Sequence, residues 1–138
     1  MKRIDALRAA YAATMRTMPV RCDAMVVLPD HIHAVWTLPP GDDAYSERWR
    51  KLKLRFSRAV NIEVGRSESK RRKRERGIWQ RRFWEHTIRD QADWAAHVRY
   101  VWVKPVKHGY VERPTDWTFS SIHGAIRAGD IRPDWDGM

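Results

Sequence analysis

Two histidines, His31 and His33, stand one residue apart in the segment VVLPDHIHAVW, where a Pro-Asp turn joins two apolar runs. Side chains along a β-strand alternate between its two faces, so both imidazoles point the same way. The apolar side chains of Ile32, Ala34 and Trp36 are then predicted to form a stripe on the opposite face. Two neighbouring imidazoles on a rigid strand are half of a divalent-metal site. The spacing alone also fits two partly exposed polar residues.

A tyrosine, Tyr100, lies in a segment with helical spacing of apolar residues, one turn before Lys104. A tyrosine hydroxyl can attack phosphorus, hold the phosphoryl group as a phosphotyrosine and later return it to a 3′-hydroxyl. A divalent ion at the histidines would polarise the phosphate and stabilise its developing charge. These residues predict phosphodiester chemistry with rejoining, because a hydrolase that uses water needs no tyrosine.

The net charge of +10 is concentrated in one part of the chain. Residues 48–82 hold 15 Lys and Arg against three Glu, whereas the remainder holds 12 basic and 14 acidic residues. Such a patch is typical of proteins that bind a phosphate backbone. An anionic membrane fits less well, because the patch has no continuous apolar stripe.

Aromatic side chains, which stack on unpaired bases, follow directly after the basic patch at Phe83 and Trp84. The predicted DNA-contacting residues are Lys51, Arg55, Arg58, Arg71, Arg72, Arg81, Arg82, Trp84 and His86. The first three are predicted to share an exposed helix face with Arg48. For Phe83 and Trp84, burial in the core is the alternative role.

Periodicity predicts the elements that position these residues. Helices are predicted at 2–17, 46–61, 91–103 and 119–128, and strands at 20–28, 31–38 and 78–88. Ser46 and Asp90 are predicted to cap helices, and Pro105 is predicted to end one. Residues 64–77 are predicted to form a basic mobile loop, either an arm for nucleic acid or a solvated insertion. Residues 130–138 are predicted to form a loose C-terminal tail.

Length and composition predict one domain over residues 1–138. No run of about 18 apolar residues is present, so no membrane association is expected. The single cysteine, Cys22, cannot form an internal disulfide, and the start of the chain does not read as a secretory leader. A cytoplasmic location is therefore expected.

Four motifs in order carry a resemblance to a known family. They are D-H-I-H at 30–33, I-W-Q-R-R-F-W-E-H at 78–86, Y-V-W-V-K-P-V-K-H-G at 100–109 and D-W-T-F-S-S at 116–121. From about residue 3 to residue 135, the chain resembles the REP-associated tyrosine transposases. These are single-tyrosine members of the HUH (histidine–hydrophobic–histidine) group, related to small insertion-sequence transposases.

The resemblance implies a ferredoxin-like α+β domain, with an antiparallel sheet that carries the histidine pair and helices packed on one face. It implies that Tyr100 is the nucleophile and that His31 and His33 bind Mg²⁺ or Mn²⁺. Its implied partner is single-stranded DNA folded into imperfect palindromic hairpins, of the kind found as repetitive extragenic palindromes in bacterial chromosomes. The implied reaction leaves a 5′-phosphotyrosine and a free 3′-hydroxyl.

Two features depart from the family pattern. The family usually has Asn or Gln four residues after the tyrosine as a further metal ligand, whereas this chain has Lys104, a cation that cannot ligate while protonated. Lys104 would then contact the phosphate directly, or mark a degenerate copy that binds hairpins without cutting them. The family's usual first strand is also absent, which predicts an open sheet edge. Three explanations are open: the start of the chain lies too late, another chain covers the edge, or the domain is unstable. A monomer or a strand-exchanged dimer is expected.

Overall fold

The computed structural model describes residues 3–29, 31–64 and 88–137. Its helices are α1 (Ile4–Thr17), α2 (Tyr45–Val64), α3 (Gln91–Lys107) and α4 (Ile122–Arg127), with a 3-10 turn at Pro114–Asp116. Its strands, β1 (Arg21–Val27) and β2 (Ile32–Thr37), form an antiparallel pair. The predicted loop 64–77 and strand 78–88 lie outside the described residues, except for Val64 and Ile88. None of the described helices is long and apolar enough to cross a bilayer.

The described residues form two compact units, so the predicted single domain stays a prediction. The first unit contains residues 3–21 and 37–64, and the second contains residues 22–29, 31–36 and 88–137. In the first unit α1 packs against α2 through side chains at helical three-four spacing. The buried ones are Leu7, Ala10 and Thr14 on α1 and Leu52, Phe56 and Val60 on α2.

Arg48 lies inside the first unit, with 1% of its surface exposed. Its guanidinium donates to both carboxylate oxygens of Asp42, at 3.0 and 2.7 Å, and to the carbonyls of Met18, Pro19 and Ala44. These bonds compensate the burial of the charge, and the bond from Arg48 lowers the pKa of Asp42 to about 2. The prediction that Arg48 lies on an exposed basic face is therefore wrong.

The start of α2 also differs from the prediction. The helix begins at Tyr45, so Ser46 lies within its first turn and does not cap it. A carboxylate oxygen of Asp42 accepts a hydrogen bond from the Ala44 N–H at 2.9 Å. The same carboxylate therefore holds Arg48 and orders the backbone just before the helix.

In the second unit the hairpin packs against α3 around an apolar core. The core contains Ala24, Val26, Leu28 and Val35 from the hairpin, Val98, Val101 and Trp102 from α3, Ile122 from α4, and Trp135. Val35 lies two residues after His33, so the histidine face of β2 also carries its buried residue. The predicted stripe on the opposite face, formed by Ile32, Ala34 and Trp36, is only partly buried. The prediction chose the wrong face because α3 packs on the histidine side.

Residues 119–121 pair with β1 on the edge opposite β2. The N–H groups of successive strand residues point to opposite edges, and the Leu28 N–H faces His31, at the start of β2, so the Val27 N–H faces the other edge. The Val27 N–H donates to the Phe119 carbonyl at 2.9 Å, and the Ser121 N–H donates to the Met25 carbonyl at 2.9 Å. α4 therefore begins at Ile122 rather than at residue 119 as predicted. The pairing covers this edge of β1 from within the chain. The predicted open edge left by the missing first strand, and the monomer or strand-exchanged dimer tied to it, stay predictions.

The segment after α4 is packed rather than loose. Trp135 is 8% exposed and meets Trp102 edge to face, with ring centroids 5.9 Å apart. The backbone at Gly137 approaches α3 so closely that a Cβ there would lie 2.8 Å from Cγ1 of Val103. The predicted loose tail over 130–138 is therefore wrong for residues 135–137, because the tryptophan completes the apolar core.

Candidate active site

A tight turn places the first two histidines at the start of β2. The Leu28 N–H donates to the His31 carbonyl at 2.8 Å, which closes the hairpin. The strand begins at Ile32, one residue later than predicted. The ring centroids of His31 and His33 are 4.6 Å apart, with the rings at 81° to each other. The imidazoles thus lie side by side, as the alternation of strand side chains predicts, and their role as metal ligands stays a prediction.

A third histidine joins this pair. The His108 ring centroid is 5.3 Å from that of His31, and one nitrogen from each of the three histidines lies within 4.8 Å of the others. Two nitrogens bound to one ion at about 2.1 Å are at most about 4.2 Å apart, so the separations of up to 4.8 Å must shorten when one ion binds all three. His31 and His33 are half-buried, whereas His108 is exposed. Among the described residues, these three are the group of His, Cys, Asp and Glu side chains that could hold an ion.

The helix α3 carries the predicted nucleophile. It begins at its predicted cap, Asp90, whose side chain accepts a hydrogen bond from the Asp93 N–H at 2.8 Å. Tyr100, Lys104 and His108 follow at intervals of four residues, which places them along one ridge of the helix. Tyr100 is 45% exposed and is therefore accessible to a large substrate.

Lys104 contacts the predicted nucleophile directly. Its Nζ donates to the Tyr100 hydroxyl at 2.5 Å and lies 4.1 Å from the centroid of the ring, while Nζ of Lys107 lies 5.3 Å from that centroid. The bond from Lys104 is the main cause that lowers the pKa of Tyr100, and the charges of both lysines add to it. Burial acts in the opposite direction. The tyrosine thus sits in a local environment that favours its phenolate form.

His108 is not among the predicted site residues, because Pro105 is predicted to end the helix. α3 in fact continues to Lys107. A proline inside a helix lacks the N–H that would donate to the carbonyl four residues earlier, here that of Val101. That loss is confined to one bond, and the Pro105 ring is fully buried. Tyr100, Lys104 and His108 are spaced four residues apart, and this spacing was the signal that could have identified His108.

A glycine ends α3 and fixes the direction of the chain after His108. Gly109 has φ +78°, and its N–H donates to the Val106 carbonyl at 3.0 Å. The Tyr110 N–H donates to the Pro105 carbonyl at 3.0 Å. This pair of bonds is the Schellman motif, which satisfies carbonyls at the end of a helix and commonly has glycine in the left-handed position.

A row of aromatic rings continues from His108. Its ring stacks on Tyr110, with centroids 6.0 Å apart and planes at 20°, and Tyr110 stacks on Trp117 at 5.3 Å and 27°. The indole N–H of Trp117 donates to the Val27 carbonyl at 2.9 Å. The third histidine is therefore connected through two rings to the strand that pairs with the histidine strand.

Three of the nine predicted DNA-contacting residues lie in the described part of the chain, on α2 in the first unit. Arg58 is exposed, Lys51 is half-buried, and Nη1 of Arg55 donates to the Thr14 hydroxyl at 2.9 Å. The other six lie outside the described residues: Arg71, Arg72, Arg81, Arg82, Trp84 and His86. Contact with DNA stays a prediction for all nine.

The second unit combines a strand bearing two histidines on either side of an apolar residue with a packed helix that carries an exposed tyrosine. In an α+β fold, this combination defines the HUH class. No known family model matches the chain. Individual proteins do match it, over most of its length.

The chain is 42% identical over 131 residues to the REP-associated tyrosine transposase of Escherichia coli (strain K12), covering 95% of this chain and 72% of that protein. It is 46% identical over 135 residues to a putative REP-associated tyrosine transposase of Haemophilus influenzae, covering 97% and 77%. A solved structure of a REP-associated tyrosine transposase bound to a REP hairpin matches with a TM-score of 0.84 and 40% identity, covering 98% of this chain and 74% of that chain. The chain belongs to the REP-associated tyrosine transposase family. The predicted family and the α+β HUH fold are thereby confirmed.

Proposed function

We propose that this chain binds single-stranded DNA folded into a hairpin and cleaves and rejoins it through a phosphotyrosine at Tyr100. The observation that carries the proposal is the exposed Tyr100 side chain, whose hydroxyl is bonded to Lys104, on the helix that His108 directly follows. Membership of the family, and the hairpin bound to the related solved structure, support DNA hairpins as the substrate class.

In the proposed reaction, the Tyr100 oxygen attacks the scissile phosphorus. The bond between this oxygen and phosphorus forms as the bond from phosphorus to the 3′ oxygen breaks. The phenol loses its proton to solvent, and the departing 3′ oxygen takes up a proton, so the products are a 5′-phosphotyrosine and a free 3′-hydroxyl. Attack by a 3′-hydroxyl on the phosphotyrosine reverses the step and rejoins the strand.

Lys104 has two roles in this proposal. Before attack, its hydrogen bond and charge favour the phenolate of Tyr100, which is the better nucleophile. After attack, its Nζ lies beside the oxygen that is now bonded to phosphorus, within reach of the phosphoryl oxygens. This arrangement supports the predicted phosphate contact, with a cation where the family usually places an uncharged metal ligand.

The histidine cluster fits a divalent ion, with Mg²⁺ or Mn²⁺ as the proposed cofactors. Three imidazoles converge, and neutral imidazole nitrogen is a common metal ligand. A bound ion supplies Lewis-acid polarisation of the phosphate. The exposed Arg58 and the half-buried Lys51 on α2 would hold the phosphate backbone of the hairpin by charge.

The Tyr100→Phe variant tests the nucleophile. Incubated with Mn²⁺ and a hairpin oligonucleotide that is labelled on the 3′ side of the cleavage position, the wild type should form a covalent adduct on a denaturing gel. Tyr100→Phe should form none while it still binds the hairpin, because only the attacking oxygen is lost. The matched control is Tyr110→Phe, which removes the hydroxyl of a tyrosine with nearly equal exposure, 44%, and should form the adduct.

Equal adduct formation by wild type and Tyr100→Phe would exclude Tyr100 as the nucleophile. Tight hairpin binding without any adduct, in wild type and under both metals, would favour the second candidate function. In that case the chain is a hairpin-binding protein in which Lys104 has replaced a required ligand.

A further inference from the structure

In this chain, the usual position for a further metal ligand on α3 does not hold a ligand, so another residue would have to supply it. Four residues after Tyr100 stands Lys104, and a protonated amine has no lone pair for a metal. Its Nζ is instead engaged with the Tyr100 hydroxyl. A ligand from this helix must therefore come from elsewhere on the same ridge, and one turn further along is His108.

His108 is positioned to act with the other two histidines. Its ligand nitrogen lies within 4.8 Å of those of His31 and His33. The ring is exposed, so an ion held there keeps coordination positions that face solvent, as catalytic metal sites do.

The surroundings of His108 hold its ring in place. The backbone bonds around Gly109 fix the end of α3, and the ring stacks on Tyr110, which stacks on Trp117. Trp117 is in turn tied to the hairpin through its bond to the Val27 carbonyl. Partners that orient a ligating imidazole contribute to metal affinity, because they limit the ring rotations that would separate the ligands.

A metal site with three imidazole ligands differs in chemistry from the usual family site, which combines two imidazoles with the amide oxygen of Asn or Gln. Oxygen ligands suit Mg²⁺, whereas imidazole nitrogens favour first-row transition ions such as Co²⁺ and Zn²⁺. A change from oxygen to nitrogen at the third position therefore changes which ion the site prefers.

We propose that His108 is the third protein ligand of the divalent ion, and that the resulting three-histidine site prefers first-row transition ions over Mg²⁺. The proposal deepens the proposed function, since it rests on a metal site at His31 and His33. It divides the ridge of α3 into three roles: Tyr100 is the nucleophile, Lys104 holds its oxygen, and His108 binds metal.

The test measures metal binding without DNA. The full chain is titrated with Co²⁺ alone and with Mg²⁺ alone by calorimetry, and the visible absorption of bound Co²⁺ reports its ligands. His108→Ala should weaken Co²⁺ binding by at least about tenfold and change the Co²⁺ spectrum, because one nitrogen is lost. His108→Asn should reduce the preference for Co²⁺ over Mg²⁺. The matched control is His97→Ala, on the same helix but outside the cluster, which should bind Co²⁺ like the wild type.

Three results have distinct meanings. Equal Co²⁺ affinity and spectra in wild type and His108→Ala would overturn this inference and leave the proposed function standing. A wild type that binds neither ion would overturn the metal part of the proposed function itself. Because His108 is exposed, its variants should unfold at the wild-type temperature in the absence of metal, which separates lost ligation from lost folding.

Discussion

At the scale of single residues, the pair formed by Tyr100 and Lys104 distinguishes this chain from the usual family pattern. A lysine one turn after the tyrosine can reach back along the helix and donate to the phenol oxygen. Because the phenolate is stabilised more than the phenol by a neighbouring cation, the pKa of Tyr100 falls. In the proposed reaction, Lys104 would thus activate the tyrosine nucleophile from the position where the family usually has a metal ligand.

Replacing Lys104 by Met should raise the pKa of Tyr100 toward about 10, the value of an unperturbed tyrosine. The phenolate then forms only at higher pH, so adduct formation should shift to higher pH. Ultraviolet difference titration of wild type against the variant measures the pKa, and the pH profile of adduct formation measures its consequence. Lys107→Met is the matched control and should shift the pKa less, since Lys107 contributes charge without a hydrogen bond. Identical titrations of wild type and Lys104→Met would show that Lys104 is not the cause of the lowered pKa of Tyr100.

The residues of the site were predictable to different degrees. The side-by-side placement of His31 and His33 follows from the two-residue period of a strand, and the place of Tyr100 on a helix, one turn before Lys104, follows from helical spacing. His108 was not predicted, because the usual rule that proline ends a helix hid the continuation of α3 past Pro105. The bond between Lys104 and Tyr100 was also absent from the prediction, although their spacing allowed it.

At the scale of elements, the end of α3 determines where His108 and the ring stacked on it lie. Gly109 occupies the left-handed region with φ +78°, which a residue with a Cβ adopts only at a cost. Apart from the two neighbours of Gly109 in sequence, no atom of the described residues lies within 4 Å of the place a Cβ would occupy, so the constraint is the backbone conformation. This turn is thus a local device that places a side chain of the candidate metal site.

Gly109→Ala should lower the free energy of unfolding by about 1 to 2 kcal/mol, because alanine is strained in the left-handed region. The same change should weaken Co²⁺ binding, since the backbone that carries His108 shifts. Denaturant unfolding and calorimetry measure the two effects. The matched control is Gly124→Ala within α4, where a Cβ meets only a terminal nitrogen of Arg127 at 3.8 Å and the free energy of unfolding should hold or rise. Equal effects of the two changes would show that the turn at Gly109 has no special role.

Local patterns predicted the described elements, but not all of their long-range contacts. Both described strands and all four described helices were anticipated to within three residues at each end, apart from the C-terminal end of α3, which lies four residues beyond the predicted one. The burial of Arg48, Val35 and Trp135 was not anticipated. Each is buried by a segment distant in sequence or by a specific partner: a carboxylate for the arginine, α3 for the valine and Trp102 for the tryptophan. Such contacts depend on tertiary packing, which periodicity does not specify.

At the scale of the whole molecule, the uneven distribution of charge is the main determinant of how the chain should meet DNA. The excess of Lys and Arg lies in residues 48–82, and the rest of the sequence is slightly acidic. Binding that depends on a few phosphate contacts weakens steeply with salt, in proportion to the number of counterions released. The slope of hairpin affinity against salt concentration therefore gives the number of phosphate contacts, and a variant that lowers this slope identifies a residue that makes one.

Changing Lys51 and Arg58 together to Gln should weaken hairpin binding and reduce the steepness of its salt dependence by up to about two, roughly one for each lost phosphate contact. Fluorescence anisotropy of a labelled hairpin at several NaCl concentrations measures the slope. The matched control changes Arg89 and Arg132 to Gln, which removes the same charge from exposed residues outside the basic patch, each near a carboxylate. The control should leave the slope nearly unchanged. If both double variants reduced it equally, net charge would govern binding and the α2 face would have no particular role in holding the hairpin.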